Sequence, residues 1–490
     1  MIKKTKYILI LLMVMISGNI SAQNNLILHF MNLPQNHLIN PALKPSNLLF
    51  IELPVISGVK LNIDNNFVNF SDIFMKGPAG DSVNSILNHN YNPDKFLAKI
   101  KDKNSLETQA AVQLFGLGFC IGKNSFVFLD INERMEGNII LPKDLFTLFL
   151  KGNKQFLGGK IDLSSLEGDL KYYREVGLGF SANLTRNLRI GIKGKLLFGI
   201  AGFSIDNRSF GISAPNSYLN TLSADLTVNM SGPVEFKINP DHTIRKVVFD
   251  KNRFKTSGGI FDFLSGKKNT GLGLDFGATY NISDKLMISA AMTDIGYIKW
   301  KRDVTNLLVK SRFEFGGLNI VDVINGTKTF DDLGSDLVDS LNKAFSFTGS
   351  DVWYKEKLQY CVTLGGSYNI TKNISLGLLS SRRILYGQMN ESLTFSGNVN
   401  LSNTFSSGLS YTISRHQYAN LGAGIAFRSG IFQFYILSDR IPFMWNKIKI
   451  DKTNTIRIPS HWNTVNFRLG MNLVFGNGNK KTDKPMLNLE

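Results

Sequence analysis

Hydrophobic and polar residues alternate along most of this chain. The clearest stretch, Gly271–Tyr280, sets Leu272, Leu274, Phe276, Ala278 and Tyr280 against Gly271, Gly273, Asp275, Gly277 and Thr279. A period of two places the first set on one face of a strand and the second on the other. The same period runs through Val176, Leu178, Phe180, Ala182 and Leu184, and again through Tyr360, Val362, Leu364, Gly366 and Tyr368. A soluble sandwich also alternates, so period alone does not choose the fold. Length does: these runs cover about ten to thirteen residues, near the ~9–11 that a tilted strand needs to cross a bilayer and beyond the ~5–6 of ordinary strands.

The turns point the same way. A six-residue pattern repeats as Asn183-Leu-Thr-Arg-Asn-Leu188, Asn281-Ile-Ser-Asp-Lys-Leu286 and Asn369-Ile-Thr-Lys-Asn-Ile374. Each copy joins two alternating runs, and its Asn, Ser, Thr and Asp oxygens suit a tight hairpin. Shorter turns stand at Lys123-Asn124, Ser402-Asn403 and Arg428–Gly430, whereas the intervening connections at residues 137–172, 200–270, 299–357 and 441–463 are long. Brief ones lie near Tyr386 and His416. Short turns on one rim and long loops on the other is the layout of an outer-membrane barrel.

Six hairpins, a last strand at Thr464–Phe475 and a first within Leu48–Leu61 make about fourteen strands, an even number that returns both ends to the periplasm. The expected fold is therefore all-β, an antiparallel transmembrane β-barrel. All four tryptophans, Trp300, Trp353, Trp445 and Trp462, fall on the long-loop side, where an aromatic girdle belongs. Apolar residues at helical spacing in Pro142–Leu150 and Phe330–Phe345 predict short amphipathic helices in the loops.

The N-terminal end changes the picture by adding export. Lys3, Lys4 and Lys6 precede an apolar run from Tyr7 to Ile16 and small residues up to Ala22, the pattern of a secretory signal peptide over residues 1–22. Residues 23–47 then lead into the barrel, 48–475, and 476–490 form a periplasmic tail. No later window offers 18 uncharged apolar residues, so strands are the expected spans. The precursor carries +17; without the three signal lysines 52 basic residues face 38 acids, leaving +14. Those charges are spread out and the protein is exported, which excludes nucleic acid and suits anionic outer-membrane lipid and lipopolysaccharide.

No catalytic constellation is present. Gly116–Gly122 and Gly271–Gly277 have one residue too many for dinucleotide loops, and Gly191–Lys195 lacks the spacing of a phosphate loop. The histidines, His29, His37, His89, His242, His416 and His461, form no i, i+4 pair, which leaves no zinc motif; surface or loop positions are expected for them. No cofactor and no metal is expected. Cys120 and Cys361 are too few for a disulfide framework, and two unpaired thiols are expected. The small and polar strand face carries Glu175, Arg189, Lys193, Lys195, Asp275 and Arg468 as candidates for the lumen.

Asn40-Pro41-Ala42 is similar to the hatch motif of long-chain fatty acid transporters (FadL-like), whose fourteen-stranded barrels are plugged by the N-terminal segment. The resemblance implies that residues 23–47 are an N-terminal hatch or plug segment and makes Asn40, Pro41 and Ala42 candidate hatch residues. A further ordered set resembles an uncharacterised family of Bacteroidota outer-membrane β-barrel proteins: Asn92-Pro93-Asp94, Glu107-Thr108-Gln109, Leu141-Pro142-Lys143-Asp144, Lys195–Gly199 and Asp294-Ile-Gly-Tyr-Ile-Lys-Trp300. Two functions are expected. One is a passive channel or transporter for a hydrophobic or amphiphilic small molecule; it is not an enzyme. The other is a structural or accessory barrel that binds outer-membrane proteins of a type IX secretion or gliding-type complex.

Overall fold

The computed structural model describes residues 31 and 33–476, apart from 77–82, 86–91, 215–219, 316–344, 386–387, 402–403, 415–416, 443, 450–454 and 460–462. The signal peptide, the tail beyond residue 476, the segment Phe330–Ala344 and Trp462 lie outside the described residues. Fourteen antiparallel strands close into a barrel. They are β1 (Leu49–Glu52 continued by Val59–Asn65), β2 (Lys103–Ile121), β3 (Ser125–Pro142), β4 (Glu167–Asn183), β5 (Leu188–Ala214), β6 (Thr270–Asn281) and β7 (Leu286–Trp300). The second half consists of β8 (Cys361–Asn369), β9 (Ile374–Leu385), β10 (Gln388–Leu401), β11 (Phe405–Ser414), β12 (Gln417–Ser429), β13 (Phe432–Ile441) and β14 (Thr464–Phe475). β1 pairs with β2 on one side and β14 on the other, Leu49 opposite both Phe119 and Phe475, and this seam closes the wall.

The alternation is inverted relative to a soluble protein. In β6 the buried positions are Gly271, Gly273, Asp275 and Thr279, while Leu272, Leu274, Phe276 and Tyr280 are exposed. The same holds for Leu178 and Phe180 on β4, Ile190, Ile192 and Leu196 on β5, and Phe434 and Ile436 on β13. A belt of exposed aliphatic and aromatic side chains is unfavourable in water and favourable in lipid. The belt ends on β3 and β4 at Glu133 and Arg174, paired across the strands at 2.7 Å.

The repeated turn has a single mechanism. Thr185 Oγ1 accepts from the amides of Asn187 and Leu188 at 3.2 and 3.0 Å. Ser283 does the same for Lys285 and Leu286, and Thr371 for Asn373 and Ile374. The hydroxyl at the third position thus satisfies two amides that no strand reaches. Neighbouring turns are tied together, Asn183 N donating to Asn124 O and Asn281 N to Asn187 O.

Beyond the opposite rim the wall continues past membrane height. β2, β3, β4 and β5 are 19, 18, 17 and 27 residues long, so much of the expected loop region 137–172 and 200–270 is strand. The upper half of β5 leaves β6 and pairs with Asn220–Ser231, which pairs with Val304–Phe315 and through it with Phe347–Ser350. This outlying sheet has its own core around Ile161, Ile212, Leu222 and Phe347. A helix forms at Lys143–Lys151.

Trp300 corrects the girdle expectation. It is fully buried, packed with Tyr173, Leu197, Ile298 and Leu358, and its indole N–H donates to Glu356 Oε2 at 2.9 Å. Its ring lies flat enough on β5 that a Cβ at Gly199 or Gly202 would come within 2.5–2.7 Å of it. Trp353 and Trp445 are exposed. Replacing Trp300 by Ala is expected to cost about 3–5 kcal/mol, read from urea unfolding of the purified barrel in micelles, with Trp300→Phe losing less.

Candidate functional site

Met31 and residues 33–47 lie inside the barrel. Met31 and Leu33 pack with Ala426, Tyr435 and Leu437 on the inner faces of β12 and β13. The short turn of helix Pro34–Leu38 crosses to the seam and to β3. There the Gln35 amide donates to Glu52 Oε1 at 2.8 Å and to Asn472 Oδ1 at 2.6 Å, and Asn472 donates back at 3.1 Å. His37 is fully buried, its ring 4.4 Å from that of Phe128. Its two nitrogens face two acceptors, Pro34 O at 2.6 Å and Asp130 Oδ1 at 2.8 Å. This position corrects the expectation of a surface or loop histidine.

Asn40, Pro41 and Ala42 end the crossing on the far wall. Asn40 is buried and donates to the carbonyls of Ala278 and Ala290 at 3.4 and 3.3 Å, while its Oδ1 accepts from Ala42 N at 2.9 Å. The motif sits directly on two glycines. A Cβ at Gly277 would lie 2.0 Å from Asn40 Oδ1, and one at Gly191 2.3 Å from Pro41 C. The glycines of these strands therefore seat this segment by giving up their side chains.

Around this segment the inner wall holds a connected charge network. Lys193 bridges Asp130 at 2.9 Å and Glu175 at 2.8 Å; Lys195 reaches Asp275 at 2.8 Å and Asp294 at 2.6 Å. Arg134 joins Glu136, Glu175 and Asp294 at 2.7–2.8 Å. Asp294 is the hub, and the backbone explains why. It sits at φ 61° in a bulge where Thr293 and Asp294 oppose Asp275 alone, and its N–H donates to Asp275 Oδ1 at 2.7 Å. Asp tolerates this left-handed position better than most residues. A Cβ at the next motif residue, Gly296, would stand 2.3 Å from Leu272 O, so Asp294-Ile-Gly-Tyr-Ile-Lys-Trp300 encodes a bulge, a close strand contact and a packed indole.

Of the sequence-derived lumen candidates, Glu175, Lys193, Lys195 and Asp275 meet in this network. Arg189 does not: it clamps the turn rim, donating to Asn124 O, Asn183 Oδ1 and Ser181. Arg468 stands apart on β14, beside a cavity of about 120 Å³ that Leu38, Ile39, Lys60, Arg134 and Arg383 also line. Sequence reading missed Asp130, Arg134 and Asp294 as charges of the site. The polar period Asp130, Asn132, Arg134, Glu136, Asn138 is visible in the chain, but a boundary drawn at residue 137 cut through it. Cys120 and Cys361 are both free thiols, Cys361 lining the same cavity.

Two outcomes are expected. Gly277→Val should unseat Asn40–Ala42 and raise single-channel conductance in planar bilayers several-fold over the parent. Lys193→Met should leave two buried carboxylates short of a cation and cost about 3–5 kcal/mol in micelle unfolding assays.

The chain is similar, at low identity, to several solved structures. The toluene transporter TbuX of Ralstonia pickettii is 10% identical over 91% of this chain and 94% of its own, with a TM-score of 0.40. The toluene transporter TodX of Pseudomonas putida is 10% identical over 93% and 94%, with a TM-score of 0.36. A FadL homologue of Pseudomonas aeruginosa is 11% identical over 94% and 100%, with a TM-score of 0.38. No curated protein matches the sequence. The model of the family of unknown function DUF5723 matches residues 41–439, from Pro41 into β13, and the chain belongs to that family.

Proposed function

We propose that this protein is an outer-membrane channel that admits a hydrophobic or amphiphilic small molecule through a plugged lumen with a side exit at the seam. The observation that carries this reading is the break in β1. Between Glu52 and Val59 six residues, Leu53–Gly58, stand opposite only Gly470 and Met471 of β14. The excess loops outward, leaving Val55 and Ile56 each 55% exposed. Val55 holds φ 65°, a costly conformation for a β-branched residue.

The loop reaches both sides of the wall. Outside, Ile56 borders an apolar groove of about 400 Å³ with Ile425, Phe427, Phe434, Ile436 and Leu469. Inside, Ser57 O accepts from Tyr435 Oη at 2.8 Å, and Tyr435 packs on Met31 and Leu33 of the plug. Plug, strained loop and lipid-facing groove are thus adjacent, as a route from lumen to bilayer requires. A polar glycolipid leaflet bars an apolar molecule, and such a route bypasses it. In this reading residues 23–47 are the hatch and Asn40, Pro41 and Ala42 its seat.

Deleting Pro54–Ser57 would leave two residues opposite Gly470 and Met471 and make β1 continuous. Cells carrying this variant should show folded barrel on heat-modifiability gels and at least fivefold slower uptake of labelled hydrophobic compounds than the parent. Equal uptake by parent, deletion variant and gene-less cells would sink the channel reading.

One feature favours the second reading, an accessory barrel. The outlying sheet built on the upper half of β5 gives partner proteins a folded surface above the wall. Cross-linking followed by pull-down would then recover stoichiometric outer-membrane partners, and removal of residues 220–231 would abolish their recovery without affecting uptake.

A further inference from the structure

We propose that the lumen contains a binding site for a carboxylate or phosphate group, held between Lys60 and Arg468. These two residues are direct cross-strand partners at the seam, Lys60 of β1 opposite Arg468 of β14. Both side chains line the cavity beside Leu38 and Ile39. Like charges placed directly opposite on one face of a sheet repel and destabilise it, more so where water is scarce.

Among the described residues no carboxylate offsets that repulsion at contact distance. Arg468 Nε and Nη1 are buried with no hydrogen-bond partner. Lys60 donates only to the neutral amide oxygen of Gln109, at 3.1 Å. The carboxylates nearby are engaged elsewhere: Glu175 and Asp294, which line the same cavity, are paired with Arg134, Lys193 and Lys195. Glu52 accepts from the amides of Gln35 and Gln113, Glu136 from Arg134 and Tyr173, and Glu107 from Gln109 and Arg383. Every other cation of the network has an ion partner, so the unmatched pair is a local property of the seam.

A planar carboxylate or a phosphate supplies what is missing. It accepts from the guanidinium fork and from the ammonium at once, and it cancels the repulsion. The cavity, about 120 Å³, admits such a group but not a long alkyl chain. A chain attached to it would have to lie along the plug or the seam. The ligand is therefore either the head of an anionic amphiphile or a free small anion; the proposal rests on the channel reading only for the first of these sources.

The test uses the mature full chain in dodecyl maltoside, titrated calorimetrically at fixed ionic strength with octanoate, octanol and inorganic phosphate. Octanoate or phosphate should bind saturably and octanol should not. Lys60→Gln and Arg468→Gln should each weaken binding about tenfold or more, with Arg468→Lys recovering part of the loss. Octanoate far ahead of phosphate identifies an amphiphile head group, and comparable binding identifies a free anion. Absence of saturable binding by both anions, or unchanged affinity in the two Gln variants, overturns the site. Heat-modifiability confirms folding, and Lys60→Gln carries the test alone if the arginine variant does not fold. Binding without uptake would remove the channel reading and leave the site standing; uptake without anion binding would do the reverse.

Discussion

A fourteen-strand wall encloses more space than its own side chains can fill, and lipid outside allows no unpaired backbone at its edge. Both demands are met at one place. The segment that crosses the lumen runs straight into β1, the strand that closes the wall, so Gln35 hydrogen-bonds to Glu52 and Asn472 on the two strands of the seam. The rest of the interior is arranged around that crossing: glycines where backbone meets backbone at Gly191 and Gly277, aromatic rings where His37 lies against Phe128, and charge elsewhere.

The charge network is an expensive way to fill a barrel. Each ion removed from water costs several kcal/mol, and attraction repays this only with good geometry and full hydrogen bonding. What it adds here is register. Lys193 and Lys195 on β5 reach carboxylates on β3, β4, β6 and β7, and a slip of one residue in any of these pairings would turn a charge into lipid. The Asp294 bulge serves the same end, bringing one carboxylate within reach of both Arg134 and Lys195.

Strand count and inward–outward sense were legible in the chain because both depend on period two and on local turn chemistry. The Thr185, Ser283 and Thr371 hydroxyls act within three residues of themselves. Strand length above the membrane was not legible, since the outlying sheet is stabilised by packing among segments a hundred residues apart, as Ile212 with Phe347. Trp300 looked like a girdle residue because its place at a strand end is local, while its burial depends on Gly199, Gly202 and Glu356. The break in β1 was hidden for a similar reason: Pro54 marks an irregularity, but only pairing with β14 shows how many residues are in excess.

On the proposed channel reading, the short link between the Asn40–Ala42 motif and the wall also governs kinetics. Asn40 is nine residues before Leu49, where the wall begins, so a displaced motif can travel at most about 30 Å from the seam. It never becomes a free peptide. Return to its glycine seat is an intramolecular event at a tether-set effective concentration on the order of millimolar, so reclosure is first order and independent of how much protein the membrane contains.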